Sequence, residues 1–113
     1  MDRDSEVRML VLNSMVDDFE NLDQIIFPTV RSDGRLLGWE IERGEVVTHL
    51  AELVESGFVG AFRLASEPPH EIRLDRMPEL QPDVDSKDIH FYPTAAGFQL
   101  HADWNPPSEL LDE

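Results

Sequence analysis

The clearest pattern of apolar and polar positions lies in the middle of the chain, at residues 42–56. Apolar side chains recur there with the three- and four-residue spacing of a helix that buries one face. The members of this stripe are Val46, Val47, Leu50, Leu53 and Val54. Gly57 follows where a helix commonly ends in a left-handed residue. The pattern therefore predicts a helix over residues 42–56 that stops at Gly57.

An earlier helix is indicated at residues 5–19. Asp4 or Ser5 can cap its first turn, and Glu6 is favourable at the positive end of the helix. Its apolar residues occupy most sides of the helix rather than a single stripe. This distribution is typical of a helix that is buried on most sides by other elements. We expect it to be central in the core or shared with a second subunit.

A second helix is expected over residues 21–30, capped by Asn21. The sequence Arg31-Ser32-Asp33-Gly34 has turn composition and predicts that the chain turns there. The apolar side chains at positions 36–41 fit either a short strand or an apolar connector.

Alternation after Gly57 predicts a strand over residues 58–64, and residues 89–92 are expected to return beside it. Residues 66–88 contain four prolines and seven acidic residues, so they are expected to form a long acidic loop. Within this loop, Ile72 and Leu74 are compatible with a short strand.

Thr94 can cap a last helix that runs to about residue 103 or 104, where Asn105-Pro106-Pro107 stops it. The remaining residues, 105–113, form a tail. The sequence thus predicts one domain, residues 1–113, that is mainly α with a small β-hairpin (α+β). The expected order is helix-helix-helix-strand-strand-helix.

Two motifs resemble those of a known family. One, Val47-x-x-Leu50-x-x-Leu53 followed by Gly57-Phe58-Val59, is similar to the recognition helix and exit of PadR-like and MarR-like winged helix regulators. The other, Tyr92-Pro93-Thr94-Ala95-Ala96-Gly97, resembles the Y-x-x-T-x-x-G with which PadR-like chains end the wing and begin the next helix. The stretch that carries these motifs, residues 45–97, covers about half of the chain.

The resemblance implies a winged helix-turn-helix with residues 66–88 as its wing. In that family the recognition helix enters the major groove of DNA, so a DNA-binding transcriptional regulator of PadR-like or MarR-like type is one functional hypothesis. The first and last helices of such proteins often dimerise, which implies a homodimer. The implied interface residues are Met9, Leu10, Val16, Phe98 and Trp104.

Charge favours a different partner. The 113-residue chain has 24 acidic and 9 basic residues, for a formal net charge of −15, and such a charge repels phosphate backbones. Helical geometry places no lysine or arginine on the exposed arc of the helix at 42–56, so nucleic acid is disfavoured and protein–protein contact is the leading hypothesis. An acidic decoy for a basic protein surface is a third. The candidate recognition face consists of this arc together with a residue near the helix start and one at the edge of the arc: Arg43 at the start, His49 at the edge, and Glu45, Thr48, Glu52 and Glu55.

Catalytic and cofactor chemistry has no positive signal in the sequence. The absence of cysteine excludes disulfides and zinc thiolate sites. His90, His101 and Asp103 lack the spacing of a metal motif, and the acidic residues between 17 and 23 lack that of a calcium loop. We therefore expect a protein without cofactor, metal or enzymatic activity.

The N-terminus is too acidic for a signal peptide, and the apolar run at residues 9–12 is too short to span a bilayer. We therefore expect a soluble cytoplasmic protein with no membrane partner.

Overall fold

The computed structural model describes residues 2–16, 20–64, 66–68, 70–74, 76–77 and 89–110. Within these ranges the chain forms four α-helices and a four-stranded antiparallel sheet. The helices are α1 (Arg3–Asn13), α2 (Phe27–Leu36), α3 (Arg43–Glu55) and α4 (Ala95–Ala102). The strands are β1 (Glu20–Asn21), β2 (Val59–Leu64), β3 (Glu71–Leu74) and β4 (Ile89–Pro93).

Helix α1 begins earlier than its sequence pattern indicated. Asp2, not Asp4 or Ser5, is the capping residue, and its carboxylate accepts a hydrogen bond from the Ser5 backbone N–H at 2.8 Å. The helix ends at Asn13, whereas the prediction extended to residue 19; residues 17–19 lie outside the described part of the chain. Its broad apolar surface is buried in the core, as expected for a central helix.

The second helix is longer than predicted. Asn21 is its cap, as expected, and its side-chain oxygen accepts hydrogen bonds from the backbone N–H groups of Asp23 and Gln24. A π-helical turn, Leu22–Ile26, then continues directly into α2. The turn predicted at residues 31–34 is wrong, because Gly34 is a buried helical residue. The chain turns instead at Gly38, which has the positive φ of 80° that favours glycine.

Gly34 brings α2 close to the connector that follows. A Cβ at this position would collide with the side chain of Ile41, which is itself buried in the core. Residues 37–42 contain no strand, so the apolar connector is the alternative that the structure supports.

Helix α3 and its end agree with the sequence pattern. It spans Arg43–Glu55, and Gly57 follows with a positive φ of 82°. Val46, Leu50 and Leu53 are buried against the core. The predicted helix and its stop at Gly57 are confirmed.

The sheet is larger than the predicted hairpin. Its strand order is β1-β4-β2-β3, with Ala61 opposite Phe91 between β2 and β4. Strand β3 pairs with β2 and contains Ile72 and Leu74, as their compatibility with a short strand in the acidic loop allowed, and β1 adds two unpredicted residues beside β4. The α+β class is confirmed. The described residues form a four-stranded sheet rather than only a small hairpin, and the expected helix-helix-helix-strand-strand-helix order is not confirmed. Residues 78–88 of the predicted loop lie outside the described residues.

Helix α4 begins at its predicted cap. The Thr94 hydroxyl accepts a hydrogen bond from the Gly97 N–H at 3.1 Å and donates one to the Gly57 carbonyl at 2.6 Å. The bond to Gly57 joins the start of α4 to the end of α3. The tail is not wholly extended, because Ser108–Leu110 form a 3₁₀ turn.

None of the helices in the described ranges has both the length and the apolar content needed to cross a membrane.

Candidate functional site

The outer face of α3 is acidic. Thr48, Glu52 and Glu55 are exposed along it, and all residues of this helix are described. The basic residue of α3 is Arg43, which lies at its first position. This exposed face therefore offers carboxylates and a hydroxyl but no cation.

Arg43 is committed to a neighbouring acid. Its guanidinium donates to both carboxylate oxygens of Asp23, with Nε–Oδ1 at 2.7 Å and Nη2–Oδ2 at 3.2 Å. This bidentate geometry is a strong form of charge-assisted hydrogen bond, and it raises the pKa of Arg43. The pair ties the start of α3 to the π-helical turn before α2 and leaves little positive charge for an outside ligand.

Glu45 is held by Arg3 from the first turn of α1. The Arg3 guanidinium donates to both Glu45 oxygens and lies 5.6 Å from the centre of the Trp39 ring. The hydrogen bonds from Arg3 lower the pKa of Glu45, and those to Glu45 raise the pKa of Arg3. Glu45 is therefore an ionised, half-buried side chain beside α1 rather than part of the open face.

The side chain of His49 is on the buried side of α3 rather than on its outer face. Only 7% of the residue is exposed. Its Nδ1 lies 3.1 Å from Oε1 of Glu52, yet the angles do not allow a hydrogen bond, so this nitrogen is buried without one. Of the six residues proposed for the recognition face, three are open to solvent: Thr48, Glu52 and Glu55.

Three other arginines lie on two different elements. Arg31 and Arg35 line one groove on α2, and Arg35 forms an ion pair with Glu40 at 3.3 Å. Arg63 is exposed on β2, in a different element.

The residues proposed for a dimer interface differ in accessibility. Met9, Leu10 and Trp104 are buried within one chain, and Val16 is partly buried. Phe98 on α4 is 51% exposed, so it is the member of this set that a second subunit can contact without rearrangement of the core.

The three residues weighed for a metal site from sequence have separate partners. His90 stacks on Phe62, with ring centres 5.5 Å apart. His101 lies 2.8 Å from the amide oxygen of Asn13, and Asp103 accepts a hydrogen bond from Gln99 at 3.2 Å.

Sequence reasoning missed the contribution of α1 to this region. Arg3 and Asp4 are distant from α3 in sequence, and no local motif marks them as its neighbours. Only the packing of α1 on α3 brings them beside Glu45 and His49.

Comparisons with protein-family models, with curated proteins and with solved structures give no match to this chain. The resemblance to winged helix regulators therefore depends on the two sequence motifs alone, and functional assignment depends on the geometry of the site.

Proposed function

We propose that this chain is a winged-helix-like domain that acts through protein–protein contact, with the outer face of α3 as its contact surface. The fold proposal is supported by the order of elements. Helix α3 stops before Gly57, the antiparallel strands β2–β4 follow, and α4 then begins at its cap, Thr94. Strand β1, between α1 and α2, pairs at the side of the same sheet.

The observation on which the functional proposal depends is the chemistry of α3. Glu52 and Glu55 are exposed on its outer face, while Arg43 is paired with Asp23. Phosphate contacts normally require lysine or arginine, so this face is poorly suited to a DNA groove. A protein surface with lysine or arginine is its complementary partner.

A binding experiment separates the two partner classes. Fluorescence anisotropy at low salt would compare a mixed-sequence DNA duplex with a lysine-rich peptide. We expect no binding to the duplex and salt-sensitive binding to the peptide. Duplex binding that weakens steeply with added salt would instead support the alternative, a DNA-binding transcriptional regulator of PadR-like or MarR-like type.

Charge-reversed variants test which face is used. The double variant Glu52→Lys/Glu55→Lys should lower peptide affinity at least fivefold. The control Glu67→Lys/Glu71→Lys makes the same change in net charge on the exposed residues around β3 and should have a smaller effect. Equal losses would show that the peptide responds to overall charge, and the α3 face would be rejected as the contact surface.

We further propose that the protein forms a homodimer through α4. Phe98 is a large apolar side chain on this helix, and half of it faces solvent. Sedimentation velocity at high micromolar concentration should show a dimer for the wild type and a monomer for Phe98→Ser. Leu36→Ser is a matched control, because Leu36 on α2 is 53% exposed and should leave the dimer intact. A strictly monomeric wild type would eliminate the dimer.

A further inference from the structure

We propose that Asp4, Glu45 and His49 form a binding site for a divalent transition-metal ion. One possible ligand atom from each residue lies within 4.8 Å of the other two. Glu45 and His49 are one turn apart on α3 and therefore share a face, and Asp4 approaches from the first turn of α1. Tetrahedral ligands at about 2.1 Å from an ion are about 3.4 Å apart, so small rotations of these side chains suffice.

His49 is an independent reason to expect a ligand. It is buried, and its Nδ1 has no hydrogen bond although Glu52 lies 3.1 Å away. A buried ring nitrogen without a hydrogen bond is costly, and coordination of an ion supplies the missing partner.

The set of donors determines the class of ion. One imidazole and two carboxylates suit zinc, and also cobalt or manganese, better than a soft ion that requires sulfur. Three protein ligands leave at least one position of a tetrahedral ion for water. The strongly negative chain also attracts cations to its surface.

Arg3 competes with a bound ion for the carboxylate of Glu45. Its guanidinium already neutralises Glu45 through both oxygens, so an ion must displace it. Removal of Arg3 should therefore strengthen metal binding, whereas removal of any ligand should weaken it.

Isothermal titration of the chelator-treated full chain with zinc chloride at pH 7 tests the proposal without any partner or DNA, so it is independent of the proposed function. We expect one bound ion per chain. Asp4→Asn, Glu45→Gln and His49→Ala should each lower the affinity at least tenfold, and Arg3→Ala should raise it severalfold. Titration with cobalt, followed by visible absorption, should show the same ranking.

The control is His70→Ala, which removes an exposed histidine near β3 and should leave the affinity unchanged. Because His49→Ala alters the core, Asp4→Asn provides the test at an exposed position, with the fold checked by circular dichroism. Absence of zinc binding by the wild type would overturn the proposal. Equal affinities of wild type and Asp4→Asn, or an equal loss for His70→Ala, would overturn it as well.

Discussion

At the residue scale, Gly97 determines how closely α4 approaches the turn before β2. A Cβ at this position would overlap the backbone carbonyl of Phe58, which cannot move aside as a flexible side chain can. We expect Gly97→Ala to lower the free energy of unfolding by about 1–3 kcal/mol, measured by urea denaturation.

Gly44 provides the control for this substitution. It also lies in a helix, but a Cβ there would meet no atom within 4 Å. Gly44→Ala should raise the free energy of unfolding by about 0.5 kcal/mol, because alanine restricts the unfolded chain. A similar loss in both variants would show that the Phe58 contact is not the cause.

Glu45 should make stability depend on pH. Arg3 depresses the pKa of Glu45 in the folded state, so the ionised carboxylate stabilises the fold at and above its ordinary pKa. This contribution is lost as the pH falls through the lowered value. The difference in unfolding free energy between wild type and Glu45→Gln should be about 0.5–1 kcal/mol at pH 7 and should shrink as the pH falls below the ordinary pKa of a glutamate side chain.

Urea denaturation at a series of pH values measures this difference. Glu40→Gln removes the carboxylate of the exposed pair with Arg35 and should change the unfolding free energy by less than about 0.5 kcal/mol at pH 7. A Glu45→Gln difference that grows as the pH falls would contradict the assignment of the stabilising form.

At the scale of an element, α4 depends on its capping residue, Thr94. The Thr94 hydroxyl caps the helix and also donates to Gly57 at the end of α3. Thr94→Ala removes both hydrogen bonds and should lower the free energy of unfolding by about 1–2 kcal/mol. Thr48→Ala removes only an exposed bond to the Gly44 carbonyl within α3 and should change it by less than about 0.5 kcal/mol. Equal effects in urea denaturation would argue against a special role for the cap.

The elements that sequence predicted correctly are those with local signals. Asn21, Gly57 and Thr94 act through backbone groups within three residues or through their own φ angle, so nearby sequence is sufficient to identify them. The α3 stripe is equally local, because its spacing determines which side can be buried.

The errors concern contacts between distant segments. Gly34 lies in a segment with turn composition, yet it is helical in α2. It is a glycine there because a side chain would collide with Ile41. The pairing of β1 with β4 joins positions about seventy residues apart. The proximity of Asp4 to Glu45 and His49 likewise requires that α1 pack on α3, which no short motif encodes.

At the scale of the whole molecule, the net charge of −15 should oppose folding through mutual repulsion of the carboxylates. Three arginine–carboxylate pairs of the described residues, Arg3–Glu45, Arg35–Glu40 and Arg43–Asp23, are partly exposed, and they involve three of the 24 acidic side chains. Salt screens both the pairs and the repulsion, but the repulsion involves many more charges. The urea midpoint at pH 7 should therefore rise as sodium chloride increases from about 20 to 500 mM. Repetition at pH 4.5, where many carboxylates are protonated, should show a smaller rise. A midpoint that falls with salt at pH 7 would mean instead that the ion pairs around α3 outweigh the repulsion.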